Sequence, residues 1–366
     1  MRQIRISILV VVSILIAIGI VMIYSASAIY AYERLKDSLF YLKRHLLFLL
    51  IGIPPTIFVM SIDYAYFKKY ARLLLLISFI LLVAVLIPGL GYQAGGARRW
   101  FHFGPFNFQP SEAMKLSMII YLADALSRKG SEIKSFLTGF APLVLVLGLS
   151  IGLILLEPDL GTAVSISCIA FIMLFVAGTR LEHILYSFLA ALPVLLVAVF
   201  GTTYRRNRIT AFLHPWQDPR GTGFQIIQSF LALGSGGLIG VGLGQSTQKL
   251  FYLPAAYTDF IFSIIGEELG LIGTLSVVGL FFIFAVQGTR VVLKCNDHFG
   301  KLMSLGVVSM ITLETLVHIG VSIGAIPTKG LPLPFISYGG SALIFNMMAV
   351  GLLLNVAKGS PQRGAL

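Results

Sequence analysis

Phe251-Tyr-Leu-Pro-Ala-Ala-Tyr-Thr-Asp-Phe-Ile-Phe-Ser-Ile-Ile-Gly-Glu-Glu-Leu-Gly270 joins the longest polar insertion of the chain to a long apolar run, and its reading decides the fold. Pro254 restricts the backbone just ahead of the run. Thr258 is a residue type that caps helices, which predicts a helix with Asp259 in its first turn. Steps of three and four from Asp259 reach Ser263, Gly266, Glu267, Gly270 and Thr274, a small and polar stripe. Phe260, Phe262, Ile264, Ile265 and Leu271 occupy the other faces. The stripe turns to protein or water, and the apolar faces turn to packing partners or lipid. Asp259 then has two readings: an acid that stabilises the helix N-terminus, or a general base. A first-turn position lowers its pKa and burial against Phe260 and Phe262 raises it, and the residues alone leave that contest open.

The remainder of the chain sets the context. It has 366 residues, 57% of them hydrophobic and 11% charged; soluble domains carry about 25% charged residues. With a mean hydropathy of +0.92, an integral membrane protein is expected. The net charge of +12 then points to anionic lipid or phosphate groups, and no nucleic-acid motif accompanies it. Cys168 lies in an apolar run and Cys295 in a basic loop, so no disulfide is expected. Met1-Arg-Gln-Ile-Arg5 leads into a long apolar run without a small-residue cleavage pattern, which predicts a retained first span.

A helical span needs about 20 apolar residues. Candidates lie near 6–28, 45–62, 71–88, 111–127, 138–156, 160–178, 183–202, 259–288, 302–325 and 341–357. The expected fold is an all-α integral membrane protein, one polytopic domain over 1–366. It has about ten transmembrane helices and a large loop, about 203–258, between spans seven and eight. An even number of spans puts both tails on one side. Arg2, Arg5, Lys68, Lys69, Arg72, Arg128, Lys129, Lys134, Arg180, Arg290, Lys294, Lys301, Lys358 and Arg363 make that side the more basic, hence cytoplasmic. Pro54-Pro55 predicts a kink in the second span. No internal repeat is evident, which counts against transporters built from inverted halves.

Several residues carry candidate chemistry. Glu112 and Lys115 share a helix face: either an ion pair holding the fourth span, or a phosphate-binding lysine oriented by a carboxylate. Arg98, Arg99, Arg205, Arg206, Arg208 and Lys249 each suit a lipid headgroup singly; as a set on the outer face they suit a diphosphate. Leu156-Glu-Pro-Asp-Leu-Gly161 places two more carboxylates there. Glu314 and His318, one turn apart, are expected to satisfy each other, and no third ligand for a metal is evident. Gly234 to Gly244 lacks a following Gly-Lys-Ser/Thr and a preceding strand, which argues against a nucleotide. The segment 229–245 is too glycine-rich for a lipid-facing span and is expected as a short interfacial or re-entrant helix packed on protein. No Ser/His/Asp or Cys/His arrangement points to a hydrolase.

In this order the segments resemble the SEDS family (shape, elongation, division and sporulation). The matching stretches are Val21-Met-Ile-Tyr-Ser-Ala-Ser27, Gly95-Gly-Ala-Arg-Arg-Trp100, Phe108-Gln-Pro-Ser-Glu112 with Lys115, and Glu157-Pro-Asp-Leu-Gly-Thr162. They continue with Arg208-Ile209, Phe212-Leu-His-Pro-Trp216, 225–244, 252–270 and Lys329-Gly-Leu-Pro-Leu-Pro-Phe-Ile-Ser-Tyr-Gly-Gly340. Gln248-Lys249, Gly266-Glu-Glu-Leu-Gly270 and Pro327-Thr-Lys-Gly-Leu-Pro332 resemble the division branch more than the elongation branch. The resemblance implies a bacterial cytoplasmic membrane protein with both termini cytoplasmic and the active face extracytoplasmic. It implies an inverting glycosyltransferase that polymerises lipid II onto undecaprenyl-diphosphate-linked glycan. The implied partners are a class B penicillin-binding protein and other divisome or elongasome membrane proteins. Asp259 corresponds to the family's essential acid; Gln109, Glu112, Lys115, Arg99 and Arg208 correspond to its other polar positions, and Asp159 and Lys249 join the expected diphosphate site. Ala255, Tyr257 and Ala342 stand where the family usually has Glu, His and Ser. No cofactor is implied; a divalent cation that assists the leaving group stays open, although no ligand cluster for it stands out. The rival readings are a lipid II flippase, which should show polar residues through the whole depth, and a non-catalytic scaffold for the crosslinking enzyme.

Overall fold

The computed structural model describes residues 1–359 except 95, 96, 105, 202, 251 and 329. Gly95, Gly96, Phe251, Lys329 and Arg363 of the sequence motifs lie outside the described residues, as does the side chain of Arg205. Helices stand at each expected stretch. They are α1 (Arg2–Leu35), α2 (Phe40–Ser61), α3 (Ala65–Leu86), α4 (Pro110–Lys129), α5 (Ala141–Leu156), α6 (Leu160–Val176) and α7 (Leu181–Phe200). The long loop holds α8 (Thr203–Leu213) and α9 (Phe224–Ser235); α10 (Ile261–Lys294), α11 (His298–Ser322) and α12 (Gly340–Lys358) follow. Among the described residues, seven helices are long and apolar enough to cross a membrane; α4, α6 and α7 fall outside that set. The helix that satisfies its own backbone is the form an apolar segment takes in lipid. α2 carries Pro54 and Pro55 inside its span without interruption. The loop after α3 adds a small sheet of β1 (Tyr92–Ala94), β2 (Ala97–Phe103) and β3 (Phe106–Phe108), antiparallel in chain order.

Hydrogen bonds and ring contacts order the two ends of the bundle. At one end Gln109 N–H donates to Ser341 Oγ (3.0 Å), Ser341 Oγ donates to the Asn107 carbonyl (2.8 Å), and Arg208 donates to the Thr328 carbonyl (3.0 Å). At the other, Asn355 donates to the carbonyls of Val59 (2.6 Å) and Ile62, and Tyr64 stacks near Phe299 (6.3 Å). α2 and α12 run in parallel, because Phe48 packs on Gly340, Met347 on Gly52 and Thr56 on Gly351 in register. The start of α1 and the end of α12 thus lie at the end opposite the long loop.

α4 explains itself by position. It is the least apolar of the long helices, yet Pro110 to Ile120 are buried without a gap. It packs against α3, α5, α6, α11 and α12. A helix enclosed by others needs no lipid-facing surface, so it tolerates Glu112 and Lys115 where they find partners. The outer helices show the reverse pattern: Leu50, Phe58, Leu76, Ile80 and Phe282 point outward, as lipid requires.

α10 is broken at Gly270, whose φ of 66° and ψ of −162° leave the helical region. The break frees backbone groups inside the bundle, and the glycine-rich stretch of chain after α9 takes them up. Val241 N–H donates to the Glu267 carbonyl (3.0 Å) and Gly242 N–H to the Glu268 carbonyl (3.1 Å). Leu271 and Ile272 N–H donate to the carbonyls of Gly237 (2.9 Å) and Leu238 (3.1 Å). A Cβ at Gly270 would collide with the backbone nitrogen of Gly240, so glycine is needed there for both conformation and approach. The segment expected to pack on protein does so, and its glycines serve backbone contact.

Candidate active site

Asp259 does not lie in the first turn of α10. The N–H groups of Thr258 (3.1 Å) and Asp259 (3.0 Å) both donate to the Ala255 carbonyl, and Ala255 has φ +57°. Thr258 Oγ1 donates to the same carbonyl (3.1 Å) instead of capping the helix, which starts at Ile261. The expected cap fails because this tight turn consumes the groups it would have used. Two bonds from the segment before α12 clamp the turn: Ser337 Oγ donates to the Thr258 carbonyl (2.6 Å) and Tyr338 N–H to the Tyr257 carbonyl (3.0 Å). Leu333 N–H in turn donates to Ser337 Oγ (2.9 Å).

Asp259 is partly buried. Burial pushes its carboxyl from the ordinary 3.8 up to about 6, while Arg208 and the Thr258 hydroxyl pull the other way. Burial wins the contest that the sequence leaves open. A side-chain carbon at Gly330 would lie 3.7 Å from Asp259 Oδ2, so glycine keeps space beside the carboxylate. Arg208 acts on Asp259 while its guanidinium is held by the Thr328 carbonyl two residues from Gly330.

A second polar group lies inside the bundle. Lys115 Nζ is 2.9 Å from Glu112 Oε2 and also pairs with Glu314, all three side chains being at most 3% exposed. Glu314 therefore pairs with Lys115 and not with His318, as the one-turn spacing suggests. His318 Nδ1 instead meets the Leu331 carbonyl at 3.0 Å. The correction has a simple cause: Glu314 finds a full positive charge across the α4–α11 contact, a stronger partner than a ring nitrogen on its own helix. One ammonium faces two carboxylates, which makes the group a demanding one to bury.

The other expected site residues take up positioning tasks. Gln109 donates from Nε2 to Asp159 Oδ2 (3.1 Å) and Ser111 Oγ (3.0 Å). Asp159 caps α6 by accepting from Thr162 N–H (3.1 Å) and Oγ1 (2.9 Å). Arg99 donates to the backbone carbonyls of Glu157 (2.8 Å) and Pro158 (2.6 Å), pinning β2 to the turn between α5 and α6. Lys249 is not brought to Asp259. It is buried with Glu268 (2.8 Å) and Ser25 Oγ (3.2 Å), and Glu268 lies seven residues, roughly 10 Å of helix, below the start of α10. Ser25 Oγ also donates to Glu268 (2.6 Å), so α1, α10 and the long loop share one polar knot. Beside it Glu267 accepts from Thr247 N–H (2.8 Å) and Oγ1 (2.9 Å), and from Ser246 Oγ. On the same stripe Ser263 and Ser229 hydroxyls meet at 2.6 Å, and Ser229 donates to the Ser322 carbonyl (2.7 Å).

Sequence reasoning misses three features. Ser25 and Glu314 are separated from their partners by 243 and 199 positions, beyond the reach of any spacing rule. Ser337 and Tyr338 stand out in the sequence only as part of a loop motif. Glu157 is buried with both carboxylate oxygens unpartnered, and burial pushes it up to about 8, with Asp159 adding and Arg99 opposing. Among the described residues no cluster of three His, Cys, Asp or Glu side chains could hold a metal ion.

Fold and site together define an integral membrane protein that buries carboxylate–lysine knots in a helix bundle and presents one acid, on a clamped turn, at the end where the long loop lies. The chain belongs to the family of FtsW, RodA and SpoVE described as cell cycle protein, which matches residues 5–362. This is the family that the sequence motifs resemble. A probable peptidoglycan glycosyltransferase FtsW of Geobacter metallireducens is 47% identical over 346 residues, 94% of this chain and 92% of that protein. Stage V sporulation protein E of Bacillus subtilis is 46% identical over 345 residues, 94% of each. The expected likeness to the division branch holds, and a sporulation relative stands beside it. Among solved structures, a chain from a peptidoglycan synthase complex that coordinates polymerization and crosslinking superposes with a TM-score of 0.79 at 30% identity, covering 97% of this chain and 98% of that one. RodA of Thermus thermophilus superposes with a TM-score of 0.72 at 27% identity, covering 97% of each.

Proposed function

We propose that this protein is a peptidoglycan glycosyltransferase that polymerises lipid II at the outer face of the bacterial cytoplasmic membrane, with Asp259 as general base. The observation that carries the reading is the clamped turn at 255–259. It holds a carboxyl whose pKa is raised to about 6 beside Gly330, which has no side chain to cover it. A base with a pKa near the working pH combines a large deprotonated fraction with real proton affinity. The names of FtsW relatives and the synthase-complex structure support the same reading.

In the reaction, the 4-hydroxyl of an incoming lipid II attacks the anomeric carbon of the growing glycan. Its O–H bond breaks and the proton passes to Asp259. The new carbon–oxygen bond forms as the bond to the lipid diphosphate breaks, and the diphosphate leaves with the electron pair. A single displacement on an α-linked donor gives a β link, so the reaction inverts. Arg208, fixed beside Asp259, opposes the negative charge that develops on the leaving group. Lys115 lies deeper and already faces two carboxylates, so its part is to organise α4 beneath the site.

The protein works beside a class B penicillin-binding protein, with both termini in the cytoplasm and the Asp259 end outside. The test is glycan-strand formation from purified lipid II in liposomes, with and without that partner. Wild type should make polymer and Asp259→Asn none. Polymer from both variants discards Asp259 as the base. Polymer from neither, with the partner present, discards the enzyme and directs the next assay to lipid II translocation.

A further inference from the structure

Four tyrosines from separate parts of the chain meet beside the turn that carries Asp259. Tyr30 comes from α1, Tyr41 from the first turn of α2, Tyr257 from the turn itself and Tyr338 from the segment before α12. Their ring centroids lie 4.4 Å apart for Tyr41–Tyr257, 5.2 Å for Tyr41–Tyr338, 5.8 Å for Tyr30–Tyr257 and 5.9 Å for Tyr257–Tyr338. Arg44 edges the group, its charge acting on Tyr338 and its guanidinium lying 4.7 Å over the Phe40 ring.

Two ordinary explanations fit this arrangement poorly. Rings that anchor a helix at the membrane interface stand singly around the perimeter, whereas these converge on one point. Rings that merely fill a core are closed off, whereas all four here stay half-buried and keep accessible surface. A group of aromatic rings that keeps some accessible surface and carries phenol hydroxyls suits a sugar ring. The apolar C–H face of a pyranose packs on an aromatic face, and its hydroxyls reach phenol oxygens that both donate and accept. The backbone sets what such a sugar would meet. Tyr257 is two residues from Asp259, and Tyr338 both joins the rings and holds the Tyr257 carbonyl.

We propose that Tyr30, Tyr41, Tyr257 and Tyr338 form a carbohydrate-binding platform that seats the acceptor sugar next to Asp259. The word acceptor rests on the glycosyltransferase reading; binding of a saccharide to the rings does not.

The full chain in lipid nanodiscs allows the two to be separated. Saturation-transfer NMR with the β-1,4-linked disaccharide of N-acetylglucosamine reads binding, and lipid II polymerisation reads KM and kcat. Tyr257→Phe should weaken binding and raise KM less than Tyr257→Ala does, because the ring remains and only one hydroxyl is lost. Tyr30→Ala and Tyr257→Ala should weaken the disaccharide signal and raise KM for lipid II by roughly two- to twelve-fold, the worth of one ring contact. For Tyr30→Ala the change should fall on KM more than on kcat. Asp259→Asn should bind the disaccharide as wild type does and make no polymer. The proposal is overturned if wild type gives no disaccharide signal. It is equally overturned if Tyr30→Ala and Tyr257→Ala leave signal and KM unchanged, even with a lowered unfolding temperature, since the cluster is then packing alone. If Tyr257→Ala fails to fold, Tyr30→Ala decides, because it leaves the clamped turn intact. Absence of polymer from wild type, with a disaccharide signal lost in the tyrosine variants, would refute the reaction and keep the platform.

Discussion

Asp259→Asn should make the protein more stable at neutral pH while removing its activity. The folded state raises the Asp259 carboxyl from 3.8 to about 6, so the fold disfavours the ionised form overall, even with Arg208 nearby. A tenfold change in a proton equilibrium is worth about 1.4 kcal/mol, so this rise is worth about 3 kcal/mol. Asp259 is only partly buried, and solvent screening reduces the figure to about 2 kcal/mol. Between pH 3.8 and about 6 the folded state holds the proton that the unfolded chain has released. Native stability therefore falls as pH rises through that window, and the full cost persists above it. The neutral asparagine has the same shape and escapes this cost. Thermal unfolding in one detergent, from pH 4.5 to pH 8, should show the variant and wild type converging at the acid end. The variant should be higher by a few degrees at pH 8, on the order expected for this energy. An Asp259→Asn protein that is less stable than wild type at pH 8 would refute the reasoning. It would mean that Arg208 outweighs burial and that Asp259 is held as a structural ion.

The same carboxyl should govern activity, with polymerisation rising as pH passes through about 6; Arg208→Ala removes a charge that lowers this value and should move the acid limb of the pH–rate profile to higher pH. Lys115→Met leaves Glu112 and Glu314 buried without their shared cation and should cost about 3–5 kcal/mol, read by thermal unfolding; the double variant with Glu314→Leu should recover part of that loss. Gly270→Ala drives a Cβ into the Gly240 backbone at φ 66° and should cost about 2–4 kcal/mol or prevent folding, read by the yield of monodisperse protein.

Much of the architecture is legible in the chain because lipid imposes length and hydrophobicity on each span separately. Every stretch chosen for its apolar run is a helix, and the glycine-rich segment packs its backbone on α10, as its composition suggests. The pairing of Glu112 with Lys115 is legible too, since three residues on a helix is a local geometry. Asp259 stands out as an acid at the mouth of a long apolar run. These are properties of neighbours in sequence.

What the sequence does not decide are the partnerships made across helices. Glu314 has an obvious neighbour in His318 and a better one in Lys115, and only the packing of α4 on α11 chooses between them. Lys249 reads as an outward-facing cation and is buried against Glu268 and Ser25. The pKa of Asp259 depends on whether dipole or burial prevails. The turn at Ala255, with its clamp from Ser337 and Tyr338, answers it by drawing the acid out of the helix and into a desolvated position. Composition and period tell a membrane segment where to lie, because the bilayer acts on each segment alone; the strength of a buried charge is set by what lies within a few ångströms, and those neighbours arrive from anywhere in the chain.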